Sequence, residues 1–205
     1  MSIEIRQENH RSLSEYAAIP TAFEAREAIR LVAVGAAPNL LPRRVISRRF
    51  RKDYDAIPGN GPAEWHARFA VDRARFMAAY EQARRVGGAV VIIEPSDVAR
   101  LGGDPPFALL WDVRVAPEAR GRGIGHALLR AAELVAREAG CRGIVAETQD
   151  INFAACQLYA HTGYVIRSID PTAYPDIAGE TQIVWAKSFE VPWHPASVRC
   201  SRRAI

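Results

Sequence analysis

Cysteine, lysine and long apolar runs are all scarce in this chain. Three cysteines occur in 205 residues, Cys141, Cys156 and Cys200. An odd number, at spacings that match no zinc pattern, argues against a disulfide framework and leaves free thiols as the expectation. The five histidines form no ligand spacing either, so no metal is expected. No apolar run approaches the ~20 residues that cross a bilayer, and residues 1–11 lack the apolar core of a signal peptide. A cytoplasmic protein with no membrane partner is therefore expected. Lysine stands only at Lys52 and Lys187, so arginine supplies nearly all the positive charge. Arginine suits bidentate contact with phosphate or carboxylate. The net charge of +4 is mild. The basic segment at residues 45–54 accordingly reads as a solvated strand face, and no nucleic-acid partner is expected.

What is present suits one well-buried domain. Residues 2–6 alternate like a strand, and residues 12–19 suit a short helix ending before Pro20. Residues 23–34 fit a strand at one end and a helix at the other. Residues 57–63 are a Pro- and Gly-punctuated loop, and residues 65–75 are helical or irregular. Residues 76–81 and 87–94 read as strands joined by QARRV, a hairpin. A Gly-, Asp- and Pro-rich loop at residues 95–106 follows. The near-continuous apolar run at residues 109–115 predicts a strand buried on both faces. At residues 123–140 the pattern is helical, with Ile124, Leu128, Ala131, Leu134 and Val135 as its apolar stripe and Gly140 as its stop. A strand at 143–149, a helix at 151–161 and strands at 164–169 and 181–189 complete the series. The strands at 109–115 and 143–149 flank a helix, so they should run parallel. The sum is an α/β (α+β) fold with a mixed, twisted central sheet and helices on its faces.

The stretch at residues 109–163 organises the rest. Its apolar strand leads through the turn RGRGIG (residues 120–125) directly into the long helix. Helix N-termini leave unpaired amides and carry partial positive charge, so such a turn is an anion site. A Walker loop is excluded, because no Gly-Lys-Ser/Thr follows. A dinucleotide fingerprint wants its third glycine where His126 stands and its glycines at the strand's end, although Glu147 imitates that motif's acidic residue. A pyrophosphate cradle with Arg120 and Arg122 at its rim fits better. On the following helix Asn152, Cys156 and Tyr159 are spaced i, i+4, i+7 and share one face.

The pattern VxPxxRGxGIG before a helix, with an Asn and a Tyr seven residues apart on the next one, resembles the GNAT superfamily of acetyl-CoA-dependent N-acetyltransferases. The likeness runs over residues 76–189. More narrowly, GGAVV, LLWDVRV, ETQDINxxACxxY and AYPDIAGETQIVWAK resemble streptothricin acetyltransferases, which acetylate the β-lysine amine of that antibiotic. The resemblance implies a GNAT-like sheet in which two central parallel strands splay apart. It divides the expected domain, residues 1–190, into a substrate-side region at 1–75 and an acetyl-CoA-binding core at 76–190, with an irregular tail at 191–205. The amides of Arg120, Gly121, Arg122, Gly123, Ile124 and Gly125 would then hold the CoA pyrophosphate. The backbone of Val113 and Val115 would pair with the pantetheine arm, and Asn152, with Ala155 beside it, would bind that arm. Tyr159 would protonate the departing thiolate. Cys156 is expected to be a packing residue.

An acceptor amine is protonated in water, near pKa ~10.4 for a lysine-like group. Something must bind that ammonium and take its proton. The carboxylates at strand tips or in candidate pocket loops are Asp112, Glu147, Asp176 and Glu180. Glu147 and Asp112, on the two central strands, are favoured for the ammonium and base roles. Trp111 and Tyr174 offer ring faces to a cation. The expected partner is a small cationic amine, streptothricin first. Another antibiotic, a polyamine, a protein amino group, or a non-catalytic acyl-CoA-binding role remain open. Nothing in the sequence separates a monomer from a homodimer.

Overall fold

The computed structural model describes residues 2–29, 43–93, 106–175, 177, 179–189 and 199–200. An eight-stranded mixed sheet runs in the order β1-β4-β5-β6-β7-β9-β8-β10. Its strands are β1 (Ile3–Glu8), β4 (Arg75–Glu81), β5 (Arg84–Ile92), β6 (Phe107–Val115), β7 (Gly143–Gln149), β8 (Val165–Asp170), β9 (Gln182–Ser188) and β10 (Arg199–Cys200). A separate antiparallel pair joins β2 (Phe23–Ile29) to β3 (Arg43–Lys52). Among the described residues the helices are α1 (Leu13–Ala17), α2 (Ile124–Glu138) and α3 (Phe153–His161).

The ambiguous segment at 23–34 is thus a strand through Ile29, its remainder lying outside the described residues. Residues 62–67 and 71–73 form short 3-10 turns. Most of the loop at 95–106 and of the tail at 191–205 also lies outside the described residues. Arg199 and Cys200, expected to be irregular, instead pair in parallel with Ser168 and Ile169 of β8.

Helices cover both faces. On one, α2 and α3 bury Ile124, Leu128, Leu129, Ala132 and Tyr159 against Met77, Val91, Leu110 and Ile144 of the sheet. On the other, Tyr16 of α1 and Trp65 pack on Phe76 and Val90. Gly88 of β5 makes the second contact possible, since a Cβ there would come within 2.5 Å of the Tyr16 ring. The apolar stripe of α2 differs from expectation. Ala132 and Ala136 are fully buried, and Leu134 is 56% exposed. Small side chains let the helix axis approach the sheet, and the helix turns its bulkier Leu134 outward as a result.

Both lysines are structural. Lys187 of β9 donates to Glu133 of α2 (2.7 Å) and to the Thr162 carbonyl at the end of α3 (2.8 Å), tying three elements together. Lys52 at the end of β3 donates to both carboxylate oxygens of Glu180. The β2–β3 pair is further anchored where the Ile29 amide donates to the Asp150 carbonyl (2.9 Å).

Between β6 and β7 the parallel pairing stops at Leu110 and Ala146, although β6 continues to Val115 and β7 to Gln149. The strands separate there. A β-bulge sits at the same place, since Val90 faces Asp112 and Val91 faces Leu110 across β5 and β6. A bulge inserts one residue and re-aims the side chains beyond it. Here it puts Trp111 and Asp112 on the α1 face together, against Trp65 and Arg114 respectively. Only the first half of β6 is buried on both faces. From Trp111 onward the strand is a cavity wall.

Candidate active site

The splayed strands open a cavity of about 640 Å³. One end is the glycine-rich turn. Gly121 and Gly123 hold φ of +75° and +80°, and open space lies where a Cβ would stand on either. Only glycine adopts that backbone without strain, and its lack of a side chain leaves the amides approachable. Gly123 is the N-cap of α2 with no side-chain cap, so the first-turn amides face this end of the cavity with the positive end of the helix dipole. Gly125 passes close to α3, where a Cβ would meet Leu158 at 3.0 Å. This end therefore fits a phosphate-bearing ligand through its backbone.

The two arginines are engaged with the protein itself, Arg120 at the cavity rim and Arg122 away from it. Arg120 donates from Nε to the Val115 carbonyl (3.0 Å) and from Nη2 to the Ala22 carbonyl (3.1 Å), which straps the turn to the segment before β2. Arg122 pairs with Glu81 and is not on the cavity wall.

Midway, Val113 and Val115 lie along β6, with Asn152, Ala155 and Tyr159 of the α3 region across from them. Asn152 is the N-cap of α3, its side-chain oxygen accepting from the Ala155 amide (3.2 Å). Tyr159 is 4% exposed and packs against Tyr164 and Trp185, with ring centroids at 5.4 and 5.8 Å. Burial raises its pKa above the ordinary phenol value, so it holds its proton. Cys156 is fully buried, and burial likewise raises its thiol pKa. A neutral buried thiol is a packing group and a poor nucleophile.

The far end is polar and aromatic. Glu147 lines it, and its Oε1 accepts from the Tyr174 hydroxyl (2.7 Å), which in turn accepts from Gln149 Nε2 (3.0 Å). Tyr174 reaches Glu147 from behind and is not itself on the cavity wall. Trp111 is, with Phe69 packed on it at 4.8 Å and the Arg68 guanidinium 4.8 Å from its ring centroid. Asp112 lines the cavity but is paired with Arg114 through Nε (2.9 Å) and Nη2. Burial pushes its carboxyl up, with Arg114 opposing. Glu180 is not brought to the cavity, for Lys52 holds both its oxygens. Asp176 lies outside the described residues. The structure also places Asp55, Tyr54, Trp65 and Arg114 on this wall, none of them singled out from sequence. One signal did exist, an arginine inside the apolar run LLWDVRV, since a charge there must be paired if buried.

Tyr16, Tyr54, Tyr159, Tyr164 and Tyr174 all have pKa values raised chiefly by burial. Unfolded tyrosines ionise near pKa ~10. Above that pH the unfolded chain loses protons that the folded one keeps, so stability falls as pH rises. Melting temperature should begin to fall near pH ~8.5, where the unfolded Cys156 thiol loses its proton, and drop steeply beyond about pH 9.5 as the tyrosines follow. A level profile through pH 11 would mean that these phenols ionise as readily in the fold as out of it.

Among the described residues no group of three or more His, Cys, Asp or Glu could hold a metal ion. No described helix is long and apolar enough to cross a membrane.

A sequence model of the Acetyltransferase (GNAT) family matches residues 44–164. This chain belongs to that family. Streptothricin acetyltransferase A of Bacillus subtilis (strain 168) is 39% identical over 85 residues, which cover 40% of this chain and 49% of the relative. The streptothricin acetyltransferase of Escherichia coli is 38% identical over 82 residues, covering 38% and 47%. The chain spans about half the length of the curated relatives it matches. Among solved structures, a candidate streptothricin acetyltransferase of Bacillus anthracis str. Ames, in complex with acetyl coenzyme A, superposes with a TM-score of 0.72 at 22% identity. That match covers 93% of this chain and all of the other. Nourseothricin acetyltransferase gives 0.67 at 21% identity, over 92% and 99%. At such identities the likeness speaks for the GNAT fold. It also agrees with the mixed sheet, the helices on both faces and the splayed central strands.

Proposed function

We propose that this GNAT chain is an acetyl-CoA-dependent N-acetyltransferase acting on a primary amine of a small cationic molecule, with streptothricin the foremost acceptor. The observation that carries the reading is one continuous cavity. It runs from the amides of Gly121–Gly125, past Tyr159 and the half of β6 that β7 leaves unpaired, to Glu147. Acetyl-CoA, when bound, supplies the acetyl group as a thioester whose transfer leaves a thiolate. The first-turn amides of α2 hold the pyrophosphate by hydrogen bonds and dipole. Val113 and Val115 offer backbone groups that β7 no longer pairs. Tyr159, kept protonated by burial, is the acid placed midway along the cavity.

At the other end Glu147 binds the acceptor ammonium and takes its proton, directly or through water. It is favoured over Asp112, whose carboxylate the Arg114 guanidinium already occupies. The hydrogen bond from Tyr174 fixes one oxygen of Glu147 and leaves the other for the substrate. The rings of Trp111 and Trp65 and the carboxylate of Glu147 suit a cation on this wall. The names of the relatives favour streptothricin over other amines. Incubation with acetyl-CoA and streptothricin should give one added acetyl group by mass spectrometry, with an equal amount of free CoA thiol. Turnover only with a different amine would overturn the streptothricin assignment, and turnover with none would overturn the enzymatic reading.

A further inference from the structure

Arg114 sits on β6 between the two valines of the cofactor half, with its side chain on the opposite face and 2% exposed. Every N–H of its guanidinium is used. Nε donates to Asp112 (2.9 Å), and Nη2 donates to Asp112 and to Asp55 Oδ1 (3.2 Å). Nη1 donates to Asp55 Oδ2 (3.1 Å) and to the Ile19 carbonyl (2.9 Å). The same guanidinium lies 4.8 Å from the Tyr16 ring centroid and 5.8 Å from that of Trp65. One side chain thus gathers three segments that are distant in sequence: the end of α1, the loop after β3, and the turn carrying Trp65. Two of its contacts, Asp55 and Trp65, form the acceptor wall of the cavity.

Burying an arginine carries a desolvation cost, and well-packed apolar residues often hold such a junction equally well. What apolar residues cannot do is fix the direction of two carboxylates and a carbonyl at once. We propose that Arg114 is a positioning residue, which sets the acceptor wall against β6 and so governs affinity for the amine while leaving acetyl-CoA binding unchanged. This rests on the reading of the cavity as an acetyl-transfer site. Two carboxylates share one guanidinium, so loss of the arginine would also leave like charges facing each other on that wall.

Arg114→Lys keeps the charge, but its single ammonium cannot span all three acceptors. It should raise KM for the amine about tenfold and leave KM for acetyl-CoA within about twofold. Asp55→Asn keeps the Arg114–Asp112 pair and should also raise the amine KM about tenfold. Because both act through one clamp, the double variant should be no worse than Arg114→Lys alone. An unchanged amine KM in either folded variant, or an equal rise for acetyl-CoA, would overturn the proposal. If Arg114→Lys does not fold, Asp55→Asn decides. Hydrogen exchange separates this from the functional reading. The variants should exchange faster over residues 54–68 and not over residues 121–130, whether or not any amine is turned over. Unchanged exchange at 54–68 sinks the clamp alone, and absent turnover in the unaltered protein sinks the function alone.

Discussion

Tyr159→Phe is expected to lower kcat by about 10²- to 10³-fold and to leave KM for acetyl-CoA within about twofold. General acid catalysis by a positioned side chain is worth ~10²- to 10⁴-fold. The substitution removes only the hydroxyl. The ring keeps its packing against Tyr164 and Trp185, so the fold and the course of α3 should be preserved. A fall in kcat with KM retained is the signature of a group used in the transition state and not in binding. Melting temperature, recorded on the same sample, should move little. Full activity in the variant would remove Tyr159 from the acid role. A loss confined to KM would make it a wall of the cofactor half and nothing more.

The second large effect is on stability. Glu180→Ala strands the Lys52 ammonium, whose partners at 2.7 and 2.9 Å are the two oxygens of that carboxylate. Side-chain exposures of 11% and 6% leave no easy access to water. Breaking a buried pair by removing one partner costs roughly 3–5 kcal/mol. A chain of this length loses ~2–4 °C of melting temperature per kcal/mol, so a fall of about 6–20 °C is expected. The pair joins β3 to the segment before β9, and Tyr54 of the acceptor wall stands two residues past Lys52. Assayed well below its melting point, the variant should keep its KM for both substrates. If Glu180 instead bound the acceptor ammonium, as its position among the carboxylates of the sequence suggests, the amine KM would rise and the melting temperature would hold. Replacing Lys52 by Met in the same chain should recover much of the lost stability, because no charge is then left buried alone.

What the sequence made legible is what is local. The turn at residues 120–125, the helix it opens, the hairpin of β4 and β5, and the Asn152–Tyr159 spacing all depend on neighbours a few positions apart. Glycine at positive φ and a 3.6-residue period leave direct marks on a sequence. The bulge at Trp111 leaves none, because an apolar run reads the same with or without an inserted residue. That bulge decides on which face Asp112 lies. The pairs Arg114–Asp55 and Lys52–Glu180 span 59 and 128 positions, and no spacing rule reaches so far. The second explains why Glu180, equal to Glu147 as a sequence carboxylate, is occupied by a cation in the fold. Asp112, by contrast, is taken by Arg114 only two positions away, once the bulge has put both on one face. Leu134 shows a different limit. Hydropathy favours the larger side chain for the buried stripe, but close packing against the sheet selects Ala132 and Ala136.

One cavity joining a cofactor end at Gly121–Gly125 to an acceptor end at Glu147, with Tyr159 between them, is the arrangement on which the proposed chemistry depends. A crystal structure with CoA and acetylated streptothricin tests it most directly. The expected result places the pyrophosphate on the amides of the glycine turn and the sulfur within hydrogen-bond reach of the Tyr159 hydroxyl. The acetylated nitrogen should lie beside the Glu147 carboxylate. CoA bound away from the turn, or an acetylated nitrogen remote from Glu147 with Tyr159 facing neither ligand, would contradict it.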